Sequence, residues 1–356
     1  MDAATILPAG KAPAEEVPID ALAEIPRFPL AQLPTPLQEA RNLRTALGGP
    51  ERSPRILIKR DDLTGLAFGG NKVRKLEFLV ADALAVGATV LVTAGAAQSN
   101  HARATAAAAR VAGMRAVLIL EEPLIAGPPQ GNLLLDHLLG AEVRFVATGS
   151  DLNAEVDRVA ADLTAAEEPA YAIPVGGSNA VGLLGYVGMA GELAAQLGDL
   201  GIAPSRLYYA NGSRGTQAGV VLGARVVRAT YAPLGVLVSP NSVEKEARAL
   251  AITKEAARRL GLDVDLSEAD MLNVDGYVGA GYAAPTDACE EAILLLARTE
   301  AIFLDPVYSG KAMAALIDHV RSGSIDPEET VVFLHTGGGP ALFAHNERLA
   351  AVAVNR

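Results

Sequence analysis

Several residue types and patterns are scarce in this chain of 356 residues, and each scarcity excludes a class of protein. Cys289 is the only cysteine, so an intrachain disulfide bond is impossible. No run of about 18 apolar residues occurs, which argues against a transmembrane helix. The first residues contain no basic stretch followed by an apolar run, so we expect no signal peptide and a cytoplasmic protein.

Charge and aromatic content narrow the class further. The formal net charge is −11, so neither nucleic acid nor an anionic membrane surface is an expected partner. Tryptophan is absent and aromatic residues make up 4%, although half of the chain is hydrophobic. Alanine, valine and leucine must therefore build the core. Alanine-rich helices on strands of valine, isoleucine and leucine are typical of a parallel sheet that is covered on both faces.

Common catalytic and binding signatures are also missing. The five histidines lack the spacing of metal ligands and the single cysteine adds no ligand pair, so we expect no metal site. The GxGxxG fingerprint of dinucleotide sites, the lysine spacing of a nucleotide P-loop and the GxSxG turn of hydrolases are absent. An NAD-dependent enzyme is therefore poorly supported.

Strands and helices alternate along most of the chain. Strands are predicted over residues 55–60, 88–93, 115–120, 142–147, 171–174, 206–210, 234–239 and 330–335. Helices of about 10–15 residues between such strands indicate an α/β fold with parallel sheets. Ligands of these folds bind beyond the carboxyl ends of the strands. The polar and glycine-rich segments of this chain lie at such strand ends or at helix starts.

The segment around Lys72 carries the strongest chemical signal. Gly69 and Gly70 allow close approach of the backbone to a ligand, and an amphipathic helix follows them. A lysine on this turn is poorly placed for solvation and well placed to meet a carbonyl group, as a covalently acting lysine requires. Lys75 lies on the same helix face and is a candidate phosphate ligand. Taken alone, the segment would favour an ordinary basic helix surface, and the other segments of the chain change this interpretation.

Three further segments supply groups that suit a negatively charged ligand. Ser99 and Asn100 open a helix whose free backbone N–H groups suit a carboxylate, although simple N-capping by Ser99 explains the serine as well. A turn between a strand and a helix has the composition of a phosphate cradle, and it contains Ser213, Arg214, Gly215 and Thr216. The last segments combine Tyr308 and Ser309 with Thr336, which precedes three glycines.

Together these segments resemble the fold-type II pyridoxal 5'-phosphate (PLP) enzymes, the tryptophan synthase β superfamily. Within it they are most similar to the group of D-cysteine desulfhydrases and 1-aminocyclopropane-1-carboxylate (ACC) deaminases. The resemblance runs from about residue 25 to residue 343 and rests on long words in the same order. These words are Gly-Gly-Asn-Lys-Val-Arg-Lys-Leu-Glu at 69–77, Gln-Ser-Asn-His at 98–101, Ile-Pro-Val-Gly-Gly-Ser-Asn at 173–179, Leu-Asp-Pro-Val-Tyr-Ser-Gly-Lys at 304–311 and His-Thr-Gly-Gly at 335–338.

The resemblance implies PLP as cofactor and a role for each matching residue. The implied cofactor-binding residues are Lys72, which holds PLP covalently, Lys75, Asn100, Ser213, Arg214, Gly215, Thr216, Ser309 and Thr336. The implied catalytic residues are Lys72, Ser99, Tyr282 and Tyr308. Arg214 departs from the small residue that is usual in the phosphate loop, and the sequence leaves open whether it reinforces the phosphate site or points into solvent.

Ser309 and Thr336 separate two activities within the group. ACC deaminases resemble this chain here but carry Glu after Pro-Val-Tyr and Leu after the later His. A hydroxyl near the ring nitrogen leaves that nitrogen neutral, and the weaker electron sink suits loss of a good leaving group better than opening of a cyclopropane. We therefore predict β-elimination on a small amino acid, most simply the conversion of D-cysteine to pyruvate, sulfide and ammonia.

Other activities remain open from the sequence. An L-cysteate sulfo-lyase would use the same segments, with Arg103 or Arg214 as the cation for the sulfonate. ACC deaminase is third, and a PLP-binding protein without turnover is the alternative from a different class.

The resemblance also implies the architecture. We expect two open, twisted parallel-sheet α/β domains with the cofactor in the cleft between them, and a homodimer. The larger domain would join residues 25–72 with 183–356, the smaller would span 73–182, and residues 1–24 would form an extension.

Overall fold

The computed structural model describes residues 20–123 and 127–355. Most of the predicted N-terminal extension, residues 1–19, lies outside this described part. The described chain forms two sheets that helices cover, and all strand pairs except β1 (Leu37–Glu39) with β2 (Arg55–Lys59) run parallel. The predicted α/β class with parallel sheets is thus confirmed.

The larger sheet has six strands among the described residues. Their spatial order is β1, β2, β10 (Thr330–Leu334), β7 (Arg206–Asn211), β8 (Ala232–Leu237) and β9 (Asn273–Val274). Within the same part of the chain the smaller sheet has four strands, in the order β5 (Glu142–Val146), β4 (Arg115–Glu121), β3 (Val90–Gly95) and β6 (Ala170–Ala172). The strands of the smaller sheet all lie between residues 73 and 182. The domain boundaries themselves stay a prediction.

Helices connect the strands. Their bounds are α1 (Asp20–Ala23), α2 (Arg41–Ala46), α3 (Asn71–Ala85), α4 (Asn100–Val111), α5 (Gly131–Leu138), α6 (Leu152–Ala165), α7 (Leu184–Leu200), α8 (Gly215–Val226), α9 (Val243–Arg259), α10 (Asp287–Glu300), α11 (Ser309–Arg321), α12 (Ala341–Ala344) and α13 (Asn346–Asn355). Short 3-10 turns occupy Asp61–Leu63, Leu66–Phe68, Val175–Gly177 and Glu268–Asp270. No helix in the described ranges is long and apolar enough to cross a membrane.

The strands read as unbroken apolar runs because both of their faces are buried. In β2, Ile56 and Ile58 pack into a cluster with α10 and α11, whereas Leu57 between them packs with α7 and α8. In β3, Leu91 faces α3 and α4, and its neighbours Val90 and Val92 face α6. Side chains that alternate between two helix layers leave no polar face, as expected for covered parallel sheets.

Strand β1 and helix α2 were not predicted. They follow a proline-rich stretch that reads as an extended entry segment, and each is short, with three and six residues. Strand β1 pairs antiparallel with β2 and forms one edge of the larger sheet. The pairing of β1 depends on a strand that lies outside its own sequence segment, and the periodicity of three residues is too short to predict a strand.

A buried charge cluster lies beneath α3. The guanidinium of Arg74 donates to both carboxylate oxygens of Asp61 at 2.8 Å and to both oxygens of Glu192 at 2.9 and 3.0 Å. Lys59 also donates to Glu192, and the hydroxyl of Tyr186 donates to Asp61 at 2.8 Å. Although burial alone would raise the pKa of Glu192, hydrogen bonds from Arg74 and Lys59 and their charges lower it to about 2. Two cations and two anions therefore balance in the core.

Asp61→Asn should destabilise the fold, because it leaves buried cations without a full counter-charge. We expect a loss of about 3–5 kcal/mol in the free energy of unfolding, which is typical for one partner of a buried pair. Urea denaturation followed by circular dichroism measures the change. Glu155→Gln, which removes an exposed partner of Arg158 on α6, is the matched control and should leave the midpoint unchanged. Equal midpoints for both variants would contradict this account of the cluster.

Candidate active site

A cavity of about 260 Å³ opens at the carboxyl ends of β3, β7 and β10, beside the first residues of α3, α4 and α8. Of the twelve residues predicted for the site, nine line this cavity, namely Lys72, Ser99, Asn100, Ser213, Arg214, Thr216, Tyr282, Tyr308 and Thr336. The other three, Lys75, Gly215 and Ser309, are buried close to it. Segments that are far apart in sequence therefore converge on one site.

Lys72 is the second residue of α3, and backbone contacts fix its turn. Gly70 has φ of 108°, and its N–H donates to the carbonyl of Asp61 at 3.0 Å. The N–H of Asn71 donates to the carbonyl of Thr336 at 3.0 Å, which ties α3 to the end of β10. Lys72 is partly buried, and desolvation lowers the pKa of its ammonium to about 8. A larger share of neutral amine is thus available near neutral pH than for a solvated lysine.

A cradle for a phosphate lies at one end of the cavity. The hydroxyl of Ser178 donates to that of Ser213 at 2.9 Å, and the ammonium of Lys75 donates to the carbonyl of Gly176 at 3.1 Å. A Cβ atom at Gly215 would lie 2.6 Å from the Ser178 hydroxyl and 2.8 Å from the Lys75 nitrogen, so only glycine leaves this space open.

The electrostatics of the cradle suit an anion. Burial, and next the charge of Lys72, hold the pKa of Lys75 well below its usual value. An anion at the start of α8 would stabilise the charged form of Lys75, because it would offset the buried positive charge. It would also accept hydrogen bonds from the free N–H groups of the helix. The donor set of hydroxyls, helix N–H groups and a buried ammonium therefore fits the phosphate of PLP.

The start of α4 forms another wall. The hydroxyl of Ser99 accepts the N–H of Ala102 at 3.2 Å, so this residue caps the helix as well as lining the cavity. The side-chain oxygen of Asn100 accepts from the amide of Asn132 at 2.9 Å. These bonds fix both side chains, and the first N–H groups of α4 suit a substrate carboxylate.

Tyr282 and Tyr308 are in contact with each other, and both line the cavity. Their hydroxyls share a short hydrogen bond, and their rings meet edge to face with centroids 6.0 Å apart. Asp305 positions Tyr308, because one carboxylate oxygen accepts the N–H of Val307 at 2.9 Å and of Tyr308 at 2.8 Å. Burial holds the pKa of the Tyr308 phenol well above 10. The phenol is therefore a neutral hydrogen-bond donor at physiological pH.

Ser309 and Thr336, expected together at the ring nitrogen, lie in different surroundings. Thr336 lines the cavity. Ser309 is fully buried, and its hydroxyl donates to Asp305 at 2.7 Å and to the carbonyl of Gly337 at 3.3 Å. The hydroxyl of Ser309 thus helps to orient Asp305, whereas Thr336 lies on the cavity wall.

Arg214 and Arg103, the two candidate cations for a sulfonate, are both buried and committed to other partners. Arg214 lines the cavity, and its guanidinium donates to the side-chain oxygens of Asn241 and Asn273. It is only 3% exposed, so it does not point into solvent. The guanidinium of Arg103 donates to two backbone carbonyls, and the residue does not line the cavity.

Several lining residues escaped prediction. His101 is buried with both ring nitrogens unpartnered among the described residues, and burial, then the charges of Lys72 and Lys75, keep its pKa well below 6.5. Glu121 and Lys245 also reach the cavity. Glu121 ends β4, and position at a carboxyl strand end was the signal that could have found it. In the described part of the chain, no group of three or more His, Cys, Asp or Glu side chains is arranged to hold a metal ion.

Desolvation of Lys72 predicts how its reactivity depends on pH. Its pKa lies below that of a solvated lysine, so the neutral amine should form as the pH rises through about 8. Competitive labelling of ligand-free protein with a small acylating reagent, read by mass spectrometry, measures this titration. A model peptide with one solvated lysine, whose pKa is about 10.4, is labelled in the same mixture as the control. Coincident curves for both lysines would contradict the assigned environment.

Comparison with known proteins gives one consistent result. The family described as "Pyridoxal-phosphate dependent enzyme" matches residues 29–337. D-cysteine desulfhydrases from Salmonella choleraesuis (strain SC-B67) and Salmonella newport (strain SL254) are each 41% identical over 334 residues, which covers 93% of this chain and 99% of theirs. A crystal structure described as the "ACC deaminase homologue" is 35% identical, covers 95% of this chain and 99% of its own, and superposes with a TM-score of 0.85.

These matches cover nearly the whole chain and agree with the fold and with the fit of the cavity to PLP. The resemblance inferred from the sequence is confirmed, as are the fold-type II architecture and PLP as the cofactor of the group. The chain belongs to the family of pyridoxal-phosphate dependent enzymes.

Proposed function

We propose that the protein is a PLP-dependent carbon–sulfur lyase that converts D-cysteine to pyruvate, sulfide and ammonia. The observation that carries this proposal is the 41% identity, over nearly the full length of both chains, to relatives named D-cysteine desulfhydrase. The cavity supports this activity, because a desolvated lysine, an anion cradle, a helix start and a pair of neutral phenols all lie around it.

PLP, when bound, draws electrons from the α-carbon of an attached amino acid and so makes its proton acidic. Lys72 is proposed to hold the cofactor through its aldehyde, with the phosphate on Lys75, Ser213, Gly215 and Thr216. Support comes from the lowered pKa of Lys72 and from the space at Gly215, which the nitrogen of Lys75 and the hydroxyl of Ser178 border. Thr336 is proposed to face the ring nitrogen, and its hydroxyl carries no charge that would keep that nitrogen protonated.

The chain's own residues account for the remaining steps. The N–H groups at Ser99 and Asn100 would bind the substrate carboxylate, since a helix start favours anions. The amine of Lys72 would accept the α-proton, because its pKa of about 8 suits a general base near neutral pH. Tyr282 and Tyr308 would donate hydrogen bonds to the departing sulfur. The enamine left after loss of sulfide then hydrolyses to pyruvate and ammonia.

L-Cysteate is the second candidate substrate, and the charges of the cavity argue against it. A sulfonate needs a free cation, but Arg103 does not line the cavity and the guanidinium of Arg214 is held by two amide oxygens. Lys245 lines the cavity, and its ammonium donates to the carbonyl of Pro240. The carboxylate of Glu121, also on the lining, would repel a sulfonate. A neutral thiol meets none of these costs.

ACC deaminase and a PLP-binding protein without turnover find less support. Ser309 and Thr336 stand where the resemblance places Glu and Leu in ACC deaminases, and Thr336 offers a neutral hydroxyl to the cavity. The proposed binding groups are accompanied by a base, Lys72, and by two neutral phenols that can donate hydrogen bonds, so the cavity contains the groups that elimination requires. A homodimer is proposed because the resemblance implies it, and a cytoplasmic location is proposed because a single cysteine, Cys289, fits a reducing compartment.

Product release distinguishes these activities. With D-cysteine we expect equal amounts of pyruvate and sulfide. With L-cysteine we expect no pyruvate and no sulfide, and with L-cysteate no pyruvate and no sulfite. Lactate dehydrogenase coupling measures pyruvate, and specific dyes measure sulfide and sulfite. The visible absorption of bound PLP is recorded first as the control for loading.

Loaded protein that is silent with D-cysteine and releases sulfite from L-cysteate would replace the proposed substrate. Loaded protein that turns over ACC alone would contradict β-elimination as the reaction.

A further inference from the structure

Arg103 is fully buried in α4, one helix turn after Ser99 and Asn100, yet it points away from the cavity. One nitrogen of its guanidinium donates to the carbonyl of Ala67, and another donates to the carbonyl of Gly69 at 3.0 Å. Both carbonyls belong to the lysine turn, residues 66–70, which leads into α3. Arg103 therefore joins the helix that carries the proposed carboxylate site to the turn that precedes Lys72.

The lysine turn has an uncommon backbone. Ala67, Phe68, Gly69 and Gly70 are consecutive residues with φ of 42°, 69°, 62° and 108°. Residues with a side chain rarely adopt this left-handed region and keep it only where the surroundings enforce it. The side chain of Phe68 is 68% exposed, so burial of its ring does not enforce it. Two hydrogen bonds from Arg103 reach this turn from α4.

The charge of Arg103 has a buried counterpart on α5. Asp136 is fully buried, and its carboxylate has no hydrogen-bond partner among the described residues. Burial raises the pKa of Asp136 to about 7, and the charge of Arg103 opposes this shift. Burial also lowers the pKa of Arg103 to about 10, which Asp136 opposes in turn. Each group thus favours the charged form of the other, as buried charges require.

We propose that Arg103 is a positioning residue for Lys72, with Asp136 as its counter-charge. By fixing the lysine turn relative to the start of α4, it sets the separation between the amine of Lys72 and the N–H groups that receive the substrate carboxylate. The inference rests on the proposed roles of Lys72 and α4. Arginine suits the task because its planar fork binds two carbonyls at once, which a lysine cannot do in the same geometry.

Arg103→Lys and Arg103→Met test this role, with Arg110→Lys and Arg110→Met as matched controls. Arg110 lies on the same helix and donates to the carbonyls of Leu139 and Gly140, but it is exposed and does not line the cavity. The holoenzymes are compared by the visible absorption of bound PLP as a function of pH, by kcat and KM for D-cysteine, and by thermal unfolding.

We expect both Arg103 variants to bind PLP with a shifted absorption maximum or pH midpoint. Their kcat should fall by about 100-fold, the typical effect of a reacting group displaced by about 1 Å, with a smaller change in KM. The Arg110 variants should match the parent protein. Asp136→Asn retains both hydrogen bonds of Arg103, so it should shift the absorption in the same direction with a smaller fall in kcat, and it decides the question if the Arg103 variants do not fold.

Unshifted absorption together with parental kcat in the Arg103 variants would overturn the proposal, even where thermal stability is lower, because only a structural role would remain. If the parent protein binds PLP but does not turn over D-cysteine, the proposed substrate fails, and the absorption measurements still decide the role of Arg103.

Discussion

The buried pairing of Arg74 with Asp61 and Glu192 is the interaction on which the rest of the site depends. Successive residues of an α-helix point about 100° apart, so Lys72 and Lys75 share one face of α3 while Arg74 points to the opposite side. Arg74 makes four hydrogen bonds to the two carboxylates. The charge cluster thereby fixes the rotation of α3 about its axis, and with it the direction of both lysines toward the cavity side.

The charges on the two sides of α3 differ in a way that accounts for function. Beneath the helix, every cation of the cluster faces a carboxylate, and the arrangement is complete. On the cavity side, burial lowers the pKa of both Lys72 and Lys75, and the charge of Lys72 lowers that of Lys75 further. Neither ammonium is paired with a carboxylate in the described part of the chain. An ion network in which every charge is paired stabilises the fold. Ammonium groups without a counter-charge, beside helix starts, favour the binding of an anionic ligand. A phosphate-bearing cofactor supplies that anion.

The sequence predicted most of the fold, and its family motifs predicted most of the residues that line the cavity. Alternating strands and helices indicated the parallel sheets, and the glycine turn at 69–70 correctly identified the start of α3. The direction of the Ser309 hydroxyl could not be predicted from the sequence, because it depends on the position of Asp305. The carboxylate of Asp305 is fixed by hydrogen bonds from three backbone N–H groups of the same loop. Arg103 was one of two candidate cations in the L-cysteate alternative, and only the packing of α4 against the lysine turn reveals its partners. Local sequence identifies segments, and long-range contacts decide which side chains face the ligand.

Direct identification of the lysine that binds PLP tests the central claim. The holoenzyme is reduced with borohydride, digested, and analysed by tandem mass spectrometry for the pyridoxyl group. Lys75 lies three residues away on the same helix face, so it provides a close internal comparison within one peptide. The account predicts modification of Lys72 with Lys75 unmodified. Modification of Lys75, or of a lysine outside α3, would contradict the role assigned to this helix and to the charge cluster that orients it.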